Sequence, residues 1–152
     1  MLLTHRVQLR PSVESDEEFC FQVKKKALGA YIEQTCGWDE SFQRQLYATE
    51  WVTRRPAIIV FDQRDVGTIE IRAEPTQFYL GEFYLLPEVQ RQGIGRHLLA
   101  DLMATADAAG KPIALDVLKV NPARRLYERS GFVVTGSNEH YYQMKRESSR
   151  PG

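Results

Sequence analysis

The stretch that decides the fold of this chain is residues 80–99, LGEFYLLPEVQRQGIGRHLL. Its first part, up to Leu86, predicts a strand, and glycines follow at positions 93 and 95. Behind the glycines, apolar residues recur at the spacing that places side chains on one face of a helix. These residues are Ile94, Leu98, Leu99, Leu102, Met103 and Ala106. Gly110 and Pro112 then end the helix.

The turn between this strand and helix has the features of an anion site. Residues 90–95, QRQGIG, offer consecutive main-chain N–H groups, two residues without Cβ and the positive end of a helix dipole. Arg91 and Arg96 add guanidinium groups beside these amides. The third glycine of a dinucleotide fingerprint and the Gly-Lys-Ser/Thr of a P-loop are absent from the sequence here. Two interpretations stay open: a phosphate site, or a purely structural turn.

The spacing of the turn resembles the Gln/Arg-x-x-Gly-x-Gly loop of the GNAT superfamily of acetyltransferases, through Gln90, Gly93 and Gly95. Downstream, residues 121–132, NPARRLYERSGF, resemble that superfamily's Asn-x-x-Ala-x-x-Leu-Tyr-x-x-x-Gly-Phe segment, although here the alanine directly follows Pro122. Residues 55–147 resemble the superfamily well and the first fifty residues poorly. The resemblance implies a mixed α/β fold, with a central, mostly antiparallel twisted sheet, a splayed strand pair and flanking helices.

Length and composition indicate an ordinary globular protein. With 152 residues we expect one domain over residues 1–147 and a disordered tail at 148–152. Twenty basic and twenty acidic residues balance, which argues against nucleic-acid or membrane partners recognised through net charge. Cys20 and Cys36 form no metal-ligand pair, so reduced thiols and no metal are expected. The sequence has no signal-peptide pattern, which predicts a cytoplasmic location.

The region before the glycine turn predicts a strand at residues 6–10 followed by two helices. Ser15 with Glu18 forms a capping-box pattern for the first helix. Its inward face is predicted to carry Phe19, Val23, Ala27, Ala30 and Tyr31. Asp39 or Ser41 caps the second helix, which is predicted to carry Phe42, Leu46 and Thr49 inward.

The remaining strands and one short helix complete the prediction. The strands are expected at residues 57–61, 66–72, 77–86, 113–118, 132–137 and 141–145. The short helix has Asn121 as its cap, Pro122 at its first position and Gly131 as its stop. Strands that alternate with helices in this way predict the α/β class.

The resemblance also implies acetyl-coenzyme A as cosubstrate, with its diphosphate on the glycine loop. The implied cofactor-binding residues are Leu85, Leu86, Gln90, Arg91, Gln92, Gly93, Ile94, Gly95, Arg96, Asn121, Ala123 and Tyr127. Of these, Leu85 and Leu86 bind the pantetheine arm through their main chain, and Tyr127 hydrogen-bonds the sulfur and protonates it as the catalytic acid. Arg124 and Arg125 either reach the adenosine phosphate or are simply solvated.

A general base for the reaction has several candidates. Glu82, on the strand before the loop, lies where several superfamily members place such a base and is the catalytic carboxylate that we expect. Glu33 and His140 are alternatives, since a carboxylate can meet an amine and histidine titrates near neutral pH. A chain of water molecules is another alternative, in which case no side chain serves as base.

The expected reaction is transfer of the acetyl group to a primary amine by direct attack in a ternary complex. The acceptor is a small molecule or a peptide, and the pocket is expected to use Tyr31, Glu33, Trp38 and Tyr141, which suit a cationic amine. Ordinary packing explains the same side chains equally well. A catalytically silent acyl-coenzyme A-binding regulatory module is the alternative function. Exposed strand edges in the C-terminal hairpin predict a homodimer.

Overall fold

The computed structural model describes residues 6–149 as a mixed α/β chain. The strands are β1 (Val7–Pro11), β2 (Ala57–Phe61), β3 (Arg64–Ala73), β4 (Phe78–Leu85), β5 (Ile113–Leu118), β6 (Val133–Ser137) and β7 (Tyr141–Arg146). The helices are α1 (Glu17–Cys36), α2 (Glu40–Thr53), α3 (Ile94–Ala109) and α4 (Arg124–Arg129). A seven-stranded mixed sheet has the order β1-β2-β3-β4-β5-β7-β6. The predicted α/β class is confirmed.

Two compact units share the chain. The first comprises the chain up to Glu70 together with Glu82–Ile94, and the second comprises Ile71–Gly81 and the chain from Gly95 onward. In the first unit β1 and β3 both pair antiparallel with β2. Asp62 and Gln63 join β2 to β3 with φ angles of 50° and 68°, as in the two-residue turns that match the twist of a hairpin.

The helices of the first unit surround an aromatic core. Its buried residues are Cys20, Phe21, Tyr47, Trp51 and Ile58, with Phe19, Trp38 and Val60 packed against them. Ring centroids of Phe21 and Tyr47 lie 5.9 Å apart in an edge arrangement, and those of Tyr47 and Trp51 lie 6.2 Å apart. Such contacts add to the hydrophobic gain from burying the rings.

The predicted inward face of α2 is wrong. Phe42 is 58% exposed and Leu46 38% exposed, whereas Gln43, Tyr47 and Trp51 are buried. Both sets have helical spacing, and the set with the larger rings gains more from burial, which decides the rotation of the helix. The predicted cap is confirmed at Asp39, whose Oδ1 accepts a hydrogen bond from the Phe42 N–H at 2.9 Å.

The start and the inward face of α1 also differ from the prediction. Asp16, not Ser15, is the residue before α1, and its carboxylate accepts the Val13 N–H at 2.8 Å. The 3-10 turn Glu14–Asp16 places this carboxylate there. Of the predicted inward residues, Val23 is buried but Ala30 is exposed.

The second unit contains α3, α4 and the C-terminal strands. β4 pairs parallel with β5 from Phe78↔Ile113 to Leu80↔Leu115, and β7 pairs antiparallel with both β5 and β6. The predicted face of α3 is confirmed for Leu98, Leu99, Leu102 and Ala106, which are buried. Arg146 on β7 holds Asp107 on α3 through two parallel hydrogen bonds of 3.0 and 3.1 Å.

The segment before α4 departs from the prediction. α4 begins at Arg124 with Ala123 as the preceding residue, so Asn121 is not its cap. Instead, Asn121 Oδ1 accepts the Ala123 N–H at 2.9 Å, forming a local turn two residues earlier. Pro122 has no N–H to donate, and the asparagine side chain therefore bonds the next available amide.

Three further features complete the description. Val133 and Val134 on the edge strand β6 are 62% and 45% exposed, and the homodimer expected at this hairpin stays a prediction. Of the expected tail, Ser149 donates its N–H to Asp107 Oδ1 at 3.1 Å, and residues 150–152 lie outside the described range. Within residues 6–149, no helix combines the length and apolarity that a membrane crossing needs.

Two glycines give a matched test of packing. A Cβ built on Gly67 in β3 would lie 2.3 Å from the Tyr84 carbonyl oxygen, whereas one built on Gly29 in α1 meets nothing closer than 3.7 Å. We expect Gly67→Ala to lower the free energy of unfolding by about 1–3 kcal/mol because the backbone must shift. Gly29→Ala should raise it by about 0.5–1 kcal/mol because alanine favours the helix. Urea unfolding of both variants measures these changes, and the reverse order would contradict the close approach at Gly67.

Candidate functional site

The glycine loop has an unusual backbone. Arg91 has φ +66° and Gly93 has φ +84°, so left-handed residues flank Gln92. Left-handed residues are a component of the concave backbone nests whose N–H groups bind anions. α3 starts at Ile94, directly behind the loop, and adds the positive end of its dipole. The loop therefore has the local geometry of an anion site.

Internal hydrogen bonds fix the start of this loop and the turn before it. Gln90 donates its side-chain Nε2–H to the Leu85 carbonyl at 2.9 Å and its main-chain N–H to the Pro87 carbonyl at 3.3 Å. The Leu86 N–H donates to the Val66 carbonyl at 2.9 Å, and the Leu86 carbonyl accepts the Val89 N–H at 3.0 Å. Both the N–H and the carbonyl of Leu86 are therefore already hydrogen-bonded within the first unit. A bound ligand that hydrogen-bonded to the Leu85 carbonyl would compete with the Gln90 side chain for that oxygen.

Tyr127 and the residues of its turn lie in the second unit. Tyr127 is buried, and its ring centroid lies 5.6 Å from that of Phe132. Burial raises the pKa of the Tyr127 hydroxyl, which therefore keeps its proton at neutral pH. The Ala123 N–H, one of the expected cofactor ligands, is bonded to Asn121 Oδ1. What the turn can offer chemically is a neutral phenol that donates a hydrogen bond.

Glu82 lies in the first unit, on the part of β4 that follows Gly81, and its side chain is half-buried. Tyr47 Oη on α2 donates a hydrogen bond to Glu82 Oε2 at 3.3 Å. Lys24 on α1 approaches the same tyrosine, with its Nζ 5.6 Å from the ring centroid. Helices α1 and α2 therefore bring a cation and a phenol beside the carboxyl.

The surroundings of Glu82 change its acidity. Burial raises its pKa to about 7, and the nearby Glu50 carboxylate adds to this rise. The hydrogen bond from Tyr47, the Thr68 hydroxyl and the positive charge of Lys24 act in the opposite direction. A carboxyl group with this pKa can exchange a proton at neutral pH, which is the property required of a general base.

A buried hydroxyl lies beside this carboxyl. Thr68 is fully buried on β3, and its Oγ1 makes no hydrogen bond of good geometry with any residue in the described part of the chain. Buried polar atoms are nearly always satisfied, and the Glu82 carboxyl group, whose pKa this hydroxyl lowers, is the acceptor available to it.

The sequence analysis proposed Glu82 as the general base but did not identify the side chains around it. Lys24, Tyr47 and Thr68 are separated from it by many residues along the chain and form no recognisable motif. One signal was present: Gln43, Tyr47 and Trp51 recur every four residues and so share a face of α2.

Glu33 and Trp38, expected to bind the acceptor, contact each other. Glu33 Oε2 accepts the Trp38 main-chain N–H at 2.5 Å, and the Trp38 indole donates to Glu40 Oε1 at 2.9 Å. The Trp38 ring also lies 6.1 Å from that of Phe21 in the core. Both side chains thereby stabilise the connection between α1 and α2, whatever else they bind.

The other candidate side chains differ in exposure and contacts. Tyr31 is half-buried on α1, and Tyr141 at the start of β7 is 38% exposed. Arg124 stacks over the Tyr142 ring at 4.9 Å and pairs with Glu128 at 3.5 Å, whereas Arg125 is exposed. His140 lies in the β6–β7 turn, where its N–H bonds Asn138 Oδ1 at 3.1 Å. Among residues 6–149, no group of three or more metal-ligating side chains is found.

Comparison with known proteins gives one family. A family model described as an acetyltransferase (GNAT) domain matches residues 13–143, a range that includes Glu82, the glycine loop and Tyr127. A comparison with curated proteins gives no significant match.

Solved structures share the fold. The PaiA N-acetyltransferase from Thermoplasma acidophilum, in complex with coenzyme A, has a TM-score of 0.73 at 19% identity over 93% of this chain and 98% of that one. An acetyltransferase from Thermus thermophilus has a TM-score of 0.72 at 19% identity, over 93% and 97%. The ribosomal-protein-S18-alanine N-acetyltransferase from Escherichia coli has 0.68 at 18% identity, over 96% of each chain. Identities this low establish the fold alone.

The raised pKa of Glu82 predicts a pH-dependent stability. Between its ordinary value of 4.5 and about 7, the folded chain holds more of this proton than the unfolded chain, so stability falls as pH rises through that range. Glu82→Gln should remove this slope and gain about 2–3 kcal/mol relative to wild type between pH 4.5 and pH 8. Urea unfolding at several pH values measures it. Glu88→Gln, at an exposed position, is the control, and equal slopes in the wild type and Glu82→Gln would contradict the burial of this carboxyl.

Proposed function

Because the chain belongs to the GNAT family of acetyltransferases, we propose that it transfers the acetyl group of acetyl-coenzyme A to a primary amine. The amine attacks the thioester directly in a ternary complex. The observation that carries the chemical part of this proposal is the half-buried Glu82 carboxyl, hydrogen-bonded by Tyr47 and titrating at a pKa of about 7. Burial raises the pKa of any carboxyl group, so the position of Glu82 on β4, the strand before the glycine loop, is the second support for its role.

Glu82 acts as the general base. A lysine-type amine has a pKa of about 10.4, so it arrives as an ammonium ion and must lose protons before and during attack. Its acidity rises steeply as the new C–N bond forms, and a base with a pKa near the working pH accepts the proton well at that point. The Thr68 hydroxyl, which lowers the pKa of Glu82, stabilises the carboxylate form that accepts the proton.

The glycine loop holds the diphosphate of the coenzyme. Its left-handed Arg91 and Gly93, the start of α3 and the guanidinium groups of Arg91 and Arg96 all favour an anion there. The proposed ligands are the loop residues from Gln90 to Arg96, with Leu85, Leu86, Asn121 and Ala123 for the pantetheine arm. Because the main-chain N–H groups of Leu86 and Ala123 already make internal hydrogen bonds, these two residues would contact the pantetheine arm mainly through van der Waals packing.

Tyr127 assists the departing sulfur. Its raised pKa keeps the phenol protonated, so it donates a hydrogen bond to the thiolate as the carbon–sulfur bond breaks. The ammonium ion first releases one proton to solvent, and the neutral amine then forms the C–N bond as the C–S bond breaks. Glu82 accepts the second amine proton, and Tyr127 gives its proton to the thiolate. Glu82 then loses its proton to solvent and Tyr127 regains one, so the net products are the amide, the thiol and one released proton. No redox step occurs, so acetyl-coenzyme A and the amine are the only reactants.

Tyr31 in the first unit and Tyr141 in the second are each proposed as acceptor-binding residues, because aromatic rings suit a cationic amine. Glu33 and Trp38 act through the α1–α2 connection that their hydrogen bond fixes. A small-molecule amine and a peptide amine both fit this chemistry.

An acceptor screen tests the proposal. Purified protein is incubated with acetyl-coenzyme A and a panel of diamines, amino sugars, lysine peptides and N-terminal peptides, while free thiol and acetylated product are measured. We expect thiol release that depends on an acceptor, with product mass increased by one acetyl group. Tight coenzyme binding with no acceptor-dependent thiol across the panel would instead favour a silent acyl-coenzyme A-binding module.

The role of Tyr127 has its own test. Tyr127→Phe keeps the ring that packs on Phe132 and removes the hydroxyl, so turnover should fall about 10²-fold or more, as is typical for loss of a positioned proton donor. The dissociation constant of acetyl-coenzyme A, measured by calorimetry, should change little and serves as the internal control. Equal losses in turnover and binding, or no loss in either, would contradict this role.

A further inference from the structure

The charged and polar groups around Glu82 come from every element packed against it in the first unit. α1 contributes Cys20 and Lys24, α2 contributes Tyr47 and Glu50, β3 contributes Thr68, and β4 itself contributes Tyr84. Tyr47 is the central member, because its hydroxyl bonds Glu82 at 3.3 Å while Lys24 Nζ lies 5.6 Å from its ring centroid. Tyr47 is 2% exposed, and its ring is held by Phe21 and Trp51.

We propose that Tyr47 and Lys24 are positioning residues for Glu82: the Tyr47 hydroxyl orients the carboxyl group through its hydrogen bond of 3.3 Å, and Lys24 places a positive charge beside the Tyr47 ring, 5.6 Å from its centroid. This assignment rests on the proposed function in one respect only, the use of Glu82 as the base. The arrangement of charges around Glu82 exists whatever reaction the chain catalyses.

Cys20 and Tyr47 carry no charge at neutral pH, so the charged side chains of this cluster determine the electrostatic effect on Glu82. Burial raises the pKa of the Cys20 thiol to about 12 and also raises that of the Tyr47 phenol, so both are uncharged at neutral pH. Burial lowers the pKa of Lys24, and the Glu50 and Glu82 carboxylates act against that change. Lys24 therefore acts on Glu82 as a cation and Glu50 as an anion. Glu70, buried on β3 on the same face as Thr68, is a further carboxyl group in this region.

Each substitution then has a sign. Lys24→Met removes a positive charge and Tyr47→Phe removes a hydrogen bond to the carboxylate, so each should raise the pH at which Glu82 titrates. Glu50→Gln removes a like charge and should lower it. Lys24→Arg keeps the charge and should restore a titration close to that of wild type.

The first experiment follows Glu82 directly. The full chain is labelled with ¹³C at glutamate side-chain carboxyl carbons, the Glu82 signal is assigned by its loss in Glu82→Gln, and each variant is titrated without substrate. We expect a midpoint shift of about 1 pH unit upward in Lys24→Met and Tyr47→Phe, and a downward shift in Glu50→Gln. Unchanged midpoints in Lys24→Met and Glu50→Gln, or shifts of the same sign in both, would overturn the proposal.

The second experiment measures the pH dependence of kcat/KM for acceptor-dependent thiol release. Its acidic limb should move in the same direction as the NMR midpoint in every variant. If the midpoints move and the kinetic limb does not, the positioning proposal is supported and Glu82 is not the base. Circular dichroism checks folding. Should Tyr47→Phe fail to fold, Lys24→Met and Glu50→Gln decide the outcome through their opposite signs.

Discussion

The close approach of β3 and β4 at Gly67 is the constraint on which the first unit depends. The Tyr84 carbonyl oxygen lies where the Cβ of any other residue at position 67 would be. Next to this contact, the Leu86 N–H bonds the Val66 carbonyl and so fixes where β4 ends. The glycine loop begins directly after that point. A glycine at position 67 therefore lets β4 approach β3 at Tyr84, two residues after Glu82 and shortly before the glycine loop.

Burial of Glu82 lowers the folding stability of the protein and gives this carboxyl group a pKa that suits a general base. An ionised carboxylate would be more stable in water, and the fold holds this one among Tyr47, Thr68 and the aromatic core of α1 and α2. The same burial moves its pKa to about 7, where a base is useful. Elsewhere the protein pairs its charges conventionally, as Arg146 does with Asp107.

Sequence predicted the fold where one pattern dominated. Strands β2 and β5 match the expected bounds, because each is a short apolar run with turn residues on both sides. For α2, two sets of residues had helical spacing, and local pattern could not tell that Tyr47 and Trp51, not Phe42 and Leu46, face the core. Glu82 was recognised by its position before the loop. Its partners were not, because Lys24 and Tyr47 reach it only through tertiary packing, which leaves no trace in local sequence.

The left-handed backbone at Arg91 has a consequence for affinity. A non-glycine residue with φ +66° is held there by its surroundings at a cost of about 1 kcal/mol or more. The loop adopts this conformation on folding, before any ligand binds. An anion that binds there would therefore cost little further backbone entropy. If the glycine loop keeps this conformation when an anion binds, its selectivity depends on the size and charge of that anion.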